Sequence, residues 1–346
     1  MKKHANIPIF IPHLGCPNDC VFCNQRSISG HISFDESKVC NEIEEALESI
    51  EKIGEIEHIE IAFFGGSFTG IDRTLMIYLL ETAYGYIRAG RVHGIRLSTR
   101  PDYISEETLD ILEKYGVETI ELGLQSMCDD VLAKSKRGHD SLCAEKACKM
   151  IKKRGFSLIG QMMIGLPGSD IKKELETAER ICALGADGAR IYPTVIFYNT
   201  ELCEMARRGE YIPLSNEEAV MRSKEVIKLL DAKRVPCIRV GLCASENLSS
   251  EDEVYGGANH SAIGELSMGE VFYDKMCDLI DEIPDEDENE KNIVFYVPRG
   301  ATSKAVGQKK RNINRIKDKY FVKKHIKSVK VLEKNELIGY NIKIEF

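Results

Sequence analysis

Six short apolar runs, at residues 7–11, 58–64, 94–99, 117–124, 156–164 and 188–195, alternate with charged stretches of helical periodicity at 35–53, 72–91, 105–115, 141–154, 170–184 and 215–233, with 236–241 as a candidate seventh run. Alternation of this kind predicts parallel strands joined by right-handed helical crossovers, because parallel neighbours cannot be linked by a tight turn. Runs such as 59–64 suit strands covered on both faces. Asp35, Asp72, Ser105 and Ser215 stand where helix N-caps are needed, and Ser215 with Glu218 makes a capping box. Six such units make most of a TIM-like barrel without reaching eight. The predicted fold class is therefore α/β: a partial (β/α)6 TIM-like barrel, with its active end where the strands finish.

After residue 245 the alternation stops. The stretch 245–269 reads as loop, 270–283 as helix and 285–290 as an acidic linker. A last unit follows, with a strand at 292–297, a basic helix at 303–320 and strands at 328–332 and 337–345. We expect three regions: a barrel over 1–245, an extension and linker over 246–290, and a small basic C-terminal α+β unit over 291–346. The net charge of −8 conceals a split, since residues 291–346 carry fifteen Lys/Arg against four Asp/Glu. Such a tail is expected to meet an anionic partner, or to dock on the chain's own acidic body. Lys309, Lys310, Arg311 and Arg315 are the RNA-contact candidates, placed to track phosphates. Tyr296, Tyr320 and Phe321 lie nearby, either packing or stacking on bases. Twelve cysteines in a long chain, no signal-peptide opening and no apolar run of bilayer length together predict a cytoplasmic protein with no membrane partner.

The chemistry concentrates at predicted strand ends. Cys16, Cys20 and Cys23 form CxxxCxFC just after the first strand. Thiolates suit iron–sulfur clusters and zinc. Three are too few for a closed zinc site, which would need His13 or a distant cysteine, but on a cubane cluster they leave one iron open. Phe63-Phe64-Gly65-Gly66-Ser67-Phe68 ends the second strand, where two glycines let backbone approach a ligand. The third and fourth end in Ser98-Thr99-Arg100-Pro101-Asp102 and in Leu122-Gly123-Leu124-Gln125-Ser126, with Lys136-Arg137-Gly138-His139 following. The fifth ends in Gln161-Met162-Met163-Ile164-Gly165-Leu166-Pro167-Gly168, a flat apolar turn. Cys40, Cys143, Cys148 and Cys182 read as small buried helical residues, and Cys237 with Cys243 as a remote chance of an auxiliary cluster. Tyr192, Tyr198, Tyr255 and His260 are substrate-side candidates, with no role read for the string at 255–260.

As a set, these strings resemble radical S-adenosylmethionine (SAM) enzymes of the type formed by the Elongator catalytic subunit and oxygen-independent coproporphyrinogen oxidase, across residues 10 to about 200. The Elongator side is the closer, through GGSF, STRPD and Gln161-Met162-Met163. The resemblance implies a [4Fe-4S] cluster on Cys16, Cys20 and Cys23, with SAM chelating the open iron. It implies cofactor-binding roles for Gly65, Gly66, Ser67, Ser98, Arg100, Gln125, Arg137, Gln161, Ile164 and Leu166, with Arg137 offered to the SAM carboxylate. Ser67 stands where the family's motif is usually acidic. The implied activity is reductive cleavage of SAM to a 5′-deoxyadenosyl radical for tRNA modification of the wobble-uridine type. A reduced flavodoxin- or ferredoxin-type protein would donate the electron. The stretch after residue 245 is too short for barrel closure plus the family's acetyltransferase domain. The alternatives are the same chemistry on a tetrapyrrole-like small molecule, or a non-catalytic metal-dependent nucleic-acid-binding protein.

Overall fold

Every predicted apolar run forms a strand, and the period-two alternation along each divides its side chains between a helix-covered convex face and a concave one. The structure, a computed structural model, describes residues 4–11, 14–16, 20–24, 34–54, 56–242, 252–284 and 290–346. Its strands are β1 (His4–Ile11), β2 (His58–Gly65), β3 (Gly94–Thr99), β4 (Val117–Gln125), β5 (Ser157–Ile164), β6 (Gly188–Pro193), β7 (Val195–Phe197), β8 (Cys237–Val240), β9 (Val254–Gly257), β10 (Lys291–Val297), β11 (Ile326–Glu333) and β12 (Lys343–Glu345). The helices are α1 (Val39–Ile53), α2 (Arg73–Arg88), α3 (Glu106–Lys114), α4 (Asp129–Lys134), α5 (Ser141–Lys153), α6 (Ile171–Ala183), α7 (Glu201–Arg207), α8 (Asn216–Ala232), α9 (Ile263–Asp281), α10 (Thr302–Val306) and α11 (Arg311–Tyr320).

A seven-stranded parallel sheet runs β1-β2-β3-β4-β5-β6-β8 and curls into a half-barrel. Ile7, Ile9, Ile11, Ile61, Phe63, Ile95, Leu97, Ile120, Leu122, Met162, Ile164 and Ile191 share one buried core with the covering helices. The intervening residues Glu60, Arg96, Glu121, Gln161 and Arg190 meet one another on the concave face. Strands read as apolar on both sides are thus charged on one. Predicted caps are in place: Asp72 accepts from Thr74 N and Leu75 N, Ser105 from Thr108 N, Ser215 from Glu218 N and Asp35 from Ser37 N. The Ser215 box forms only halfway, because the Glu218 carboxylate takes Arg222 at 2.6 Å instead.

Four differences from the sequence reading have physical causes. The run predicted over 188–195 breaks at Thr194, whose N–H and hydroxyl both donate to Ile164 O, and β7 leaves the barrel to pair antiparallel with β9. The loop predicted up to 269 is already helix from Ile263. The basic helix predicted over 303–320 is cut in two, because Lys309 and Lys310 both take positive φ, +51° and +62°, which a helix interior does not allow. The last strand shrinks to Lys343–Glu345. Cys40, expected to be buried, is exposed, whereas Cys148 is buried as expected. Cys243 and nearly all of the acidic linker lie outside the described residues.

The three-stranded sheet β11-β10-β12 packs on the far half of α9, where Met276, Cys277 and Ile280 join Ile293, Phe295, Ile316, Tyr320 and Ile326. The near half of α9 contributes Ile263 and Val271 to the barrel core. Among the described residues no helix is long and apolar enough to cross a membrane.

Candidate active site

The cysteine loop leaves the end of β1 and locks onto the end of β2. Ser67 N donates to Leu14 O at 3.0 Å. A Cβ on Gly15 would lie 2.2 Å from Ser67 O, and one on Gly66 would lie 2.2 Å from Leu14 O, so the two backbones touch where only glycine fits. The loop is tied down again where Val21 N donates to Ser135 O and Leu202 N donates to Val21 O, at 3.3 and 2.8 Å. Phe22, the aromatic of CxFC, packs against a buried cluster of Cys128, Val131 and Leu166. This contact brings the third cysteine's neighbour to the Gly-Leu-Pro-Gly turn at the end of β5.

Arg137 donates through Nη1 to Cys20 Sγ at 3.2 Å and through Nη2 to Gly123 O at 2.7 Å. Arg100 Nη2 donates to Arg137 O at 2.5 Å, and its Nε and Nη2 form a fork on Asp102. Two buried guanidinium groups therefore stand beside the thiols. The Cys16 thiol is exposed at the loop surface, yet the crowding around it disfavours the charged form and pushes it up, while Arg100 and Arg137 pull it back toward thiolate. The sequence offers Arg137 to the SAM carboxylate as a bidentate partner. In the structure its two terminal nitrogens are engaged, and Nε is the nitrogen without a hydrogen-bond partner among the described residues. Arg100 Nη1 and Gln125 Oε1 are likewise buried with no partner among the described residues. Gln125 also holds a left-handed backbone, φ +63°, a strain that concentrates at functional sites.

The remaining candidates divide between this mouth and the concave face. Gly65 and Gly66 line the mouth. Ser67 is fully buried, and its hydroxyl accepts from Arg100 N at 3.1 Å, so it braces the strand end. Gln161 donates to Glu121 at 2.7 Å and to Ser98 at 3.4 Å. The Ile164 side chain is buried in the core, and Leu166 sits under Phe22. Behind the turn, Glu174 Oε1 accepts from Gly165 N, Ser169 and Arg222, and Tyr211 donates to Gly165 O at 2.6 Å. Burial pushes the Glu174 carboxyl up.

Sequence reasoning missed the concave-face network. Glu121 accepts from Arg96 and Arg190 at 3.0 and 2.8 Å, while Glu60 accepts from Arg96 at 2.8 Å and from Thr119 at 3.1 Å. The signal was a charged residue (Glu60, Arg96, Glu121 or Arg190) inside each of four strands otherwise rich in apolar residues. Tyr192 joins it by hydrogen-bonding Arg190.

On the C-terminal unit, Lys309 and Lys310 are exposed. Arg311 is exposed and 3.7 Å from Glu270. Arg315 corrects the reading of a free phosphate-tracking side chain: both Glu270 oxygens take its Nη1, at 2.7 and 2.8 Å, and it lies 3.6 Å over the Tyr273 ring. Part of the tail's charge is thus spent on the chain's own acidic helix. Tyr320 is core, its hydroxyl donating to Asp281 at 2.8 Å. His260 accepts from Ala262 N, a local cap.

The residues present fit an iron–sulfur cluster and its cofactor. Three thiols in one glycine-locked loop supply soft ligands. Beside them, Arg100 Nη1 and Arg137 Nε offer unsatisfied donors to a carboxylate, and Gln125 Oε1 offers an acceptor to an amine.

The radical SAM superfamily profile matches residues 10–181, and the Radical_SAM C-terminal domain profile matches 186–270. The chain is 32% identical over 229 residues to the uncharacterized protein MJ0486 of Methanocaldococcus jannaschii, covering 63% of this chain and 70% of that one. It is 30% identical over 195 residues to a tRNA uridine(34) acetyltransferase of Methanocaldococcus infernus, covering 50% of this chain but only 36% of that protein. The archaeal Elp3 structure from Methanocaldococcus infernus superposes with a TM-score of 0.62 at 21% identity, covering 83% of this chain and 70% of that chain. Methylornithine synthase superposes at 0.51 with 17% identity, covering 75% and 76%. Sequence motif, strand-end geometry and relatives agree: the chain belongs to the radical SAM superfamily, and its cofactors are a [4Fe-4S] cluster and S-adenosylmethionine.

Proposed function

We propose that this chain is a radical SAM enzyme that modifies a tRNA base, of the wobble-uridine type. When bound, the cluster and SAM supply one-electron reductive cleavage and hydrogen abstraction. The protein's own part is geometric and electrostatic. Cys16, Cys20 and Cys23 would hold the cluster; Arg100, Arg137 and Gln125 would hold the polar end of SAM. Gly65 and Gly66 let the cysteine loop close onto the end of β2. The Leu166 turn, braced by Glu174 and Tyr211 and covered by Phe22, closes the site from below and would keep water away. The observation that carries the reading is the convergence of the cysteine loop with two buried, partly unsatisfied arginines.

The RNA part is supported by the similarity to a tRNA uridine(34) acetyltransferase and by exposed Lys309 and Lys310. A reduced flavodoxin- or ferredoxin-type protein is the proposed electron source, and the cytoplasm the proposed location. The test is an anaerobic incubation of reconstituted protein with SAM, dithionite and total tRNA. 5′-Deoxyadenosine release together with a nucleoside mass change supports the proposal. Release without any RNA change, alongside a small-molecule product, moves the substrate to the metabolite alternative. Zinc without sulfide in the purified protein defeats both.

A further inference from the structure

Beside the cysteine loop, two of the substrate-side candidates, Tyr198 and Tyr255, form a group with Arg207. Tyr198 and Tyr255 meet edge to face, centroids 5.7 Å apart at 86°. The Arg207 guanidinium lies in their notch, 5.8 Å from one ring centre and 5.7 Å from the other. Tyr198 follows β7 and Tyr255 lies on β9, the two-stranded excursion that leaves the barrel beyond β6, and Tyr198 N donates to Glu253 O. Arg207 ends α7 and also donates to Glu204 at 2.7 Å.

Three contacts place this group next to the cysteines. Asn24, the residue after Cys23, donates to Tyr198 O at 3.4 Å. Leu202 of α7 donates its N–H to Val21 O at 2.8 Å, between Cys20 and Cys23. Phe22 and Tyr198 pack on the same buried cluster of Val21, Ile196, Leu202, Cys203 and Tyr211. Tyr255 is 37% exposed and the Arg207 side chain 49%, so each keeps a surface turned to solvent.

We propose that Tyr198, Arg207 and Tyr255 form a stacking platform for an unpaired base of an RNA substrate at the rim of the active site. This rests on the RNA reading above and deepens it. Tyrosine rings and a guanidinium plane accept any base by its π-face, so the platform holds a base without reading its sequence. The notch already contains a cation, which disfavours a cationic guest and favours a neutral ring with a phosphate attached. The base must be unstacked to use the platform, so single strands and loops bind, and continuous duplex does not.

The experiment measures equilibrium binding of the full, anaerobically reconstituted chain to total tRNA, single-stranded oligouridylate and a fully paired RNA duplex. Tyr255→Ala and Arg207→Ala are expected to weaken tRNA and oligouridylate roughly 10-fold, with duplex binding within about twofold of wild type. Tyr255→Phe, which keeps the ring, is expected to bind as wild type. Tyr255→Leu keeps bulk without a ring and should behave as alanine; it serves if the alanine variant fails to fold, as judged by melting. Wild-type tRNA binding that survives Tyr255→Leu and Arg207→Ala overturns the platform and leaves the RNA reading standing. So does a loss that falls equally on duplex. A wild-type protein that binds no tRNA at low salt overturns both.

Discussion

Arg137 Nη1 donates to Cys20 Sγ at 3.2 Å, joining residues 117 apart in the chain. A cationic donor to this sulfur would, with a cluster held there, stabilise the added negative charge of its reduced form. Arg137→Ala is expected to lower iron retention or SAM cleavage about 10- to 100-fold, and Arg137→Lys by less. Iron and sulfide content after reconstitution, with 5′-deoxyadenosine release, check this. Wild-type values in the alanine variant would remove Arg137 from the site.

Gly15→Ala and Gly66→Ala each drive a Cβ to 2.2 Å from a backbone oxygen, and Gly15 also has φ +73°. Both are expected to cost about 1–3 kcal/mol and to undock the cysteine loop, seen as lost iron incorporation. Gly85→Ala is the contrast. It lies within α2 with nothing inside 4 Å of a new Cβ, and is expected to stabilise by about 1 kcal/mol without touching iron.

Glu121 is fully buried and takes Arg96, Arg190 and Gln161. Glu121→Ala leaves the buried Arg190 without its carboxylate and the half-buried Arg96 with Glu60 alone, and is expected to cost on the order of 3–5 kcal/mol. Glu121→Gln keeps an acceptor and should cost less. Denaturation of both variants decides, and equal losses in the two would show that the charge, rather than the acceptor oxygen, holds the network.

His139 is held down to about 4 from 6.5 by burial first and then by Arg137, with Asp102 at 4.0 Å opposing. The unfolded chain takes a proton in that window and the folded chain does not. Stability is therefore complete above about 6.5 and is lost as pH falls toward 4. Between pH 7 and pH 5 the loss from this one group is about 2 kcal/mol. In His139→Gln that slope should flatten by the same amount in anaerobic denaturation series, and an unchanged slope would clear the histidine.

Much of the fold was legible because its signals are local. The run 94–99 became Gly94–Thr99 without change, and four capping side chains sit where the pattern put them. The short helices α4 and α7 carry too few turns to show a period. The split basic helix depended on two left-handed lysines that helix propensity does not foresee.

The site divides the same way. Ligand chemistry is a property of residue type and spacing, so three thiols in one loop and glycines at a strand end could be read from the chain alone. Which arginine faces a sulfur, that Arg315 is spent on Glu270, and that Glu60, Arg96, Glu121 and Arg190 meet are relations among distant elements. The curl of the parallel sheet brings the four concave-face charges together, and the packing of α11 on α9 pairs Arg315 with Glu270; strand register, helix packing and burial set these partners, and none is written in any one segment.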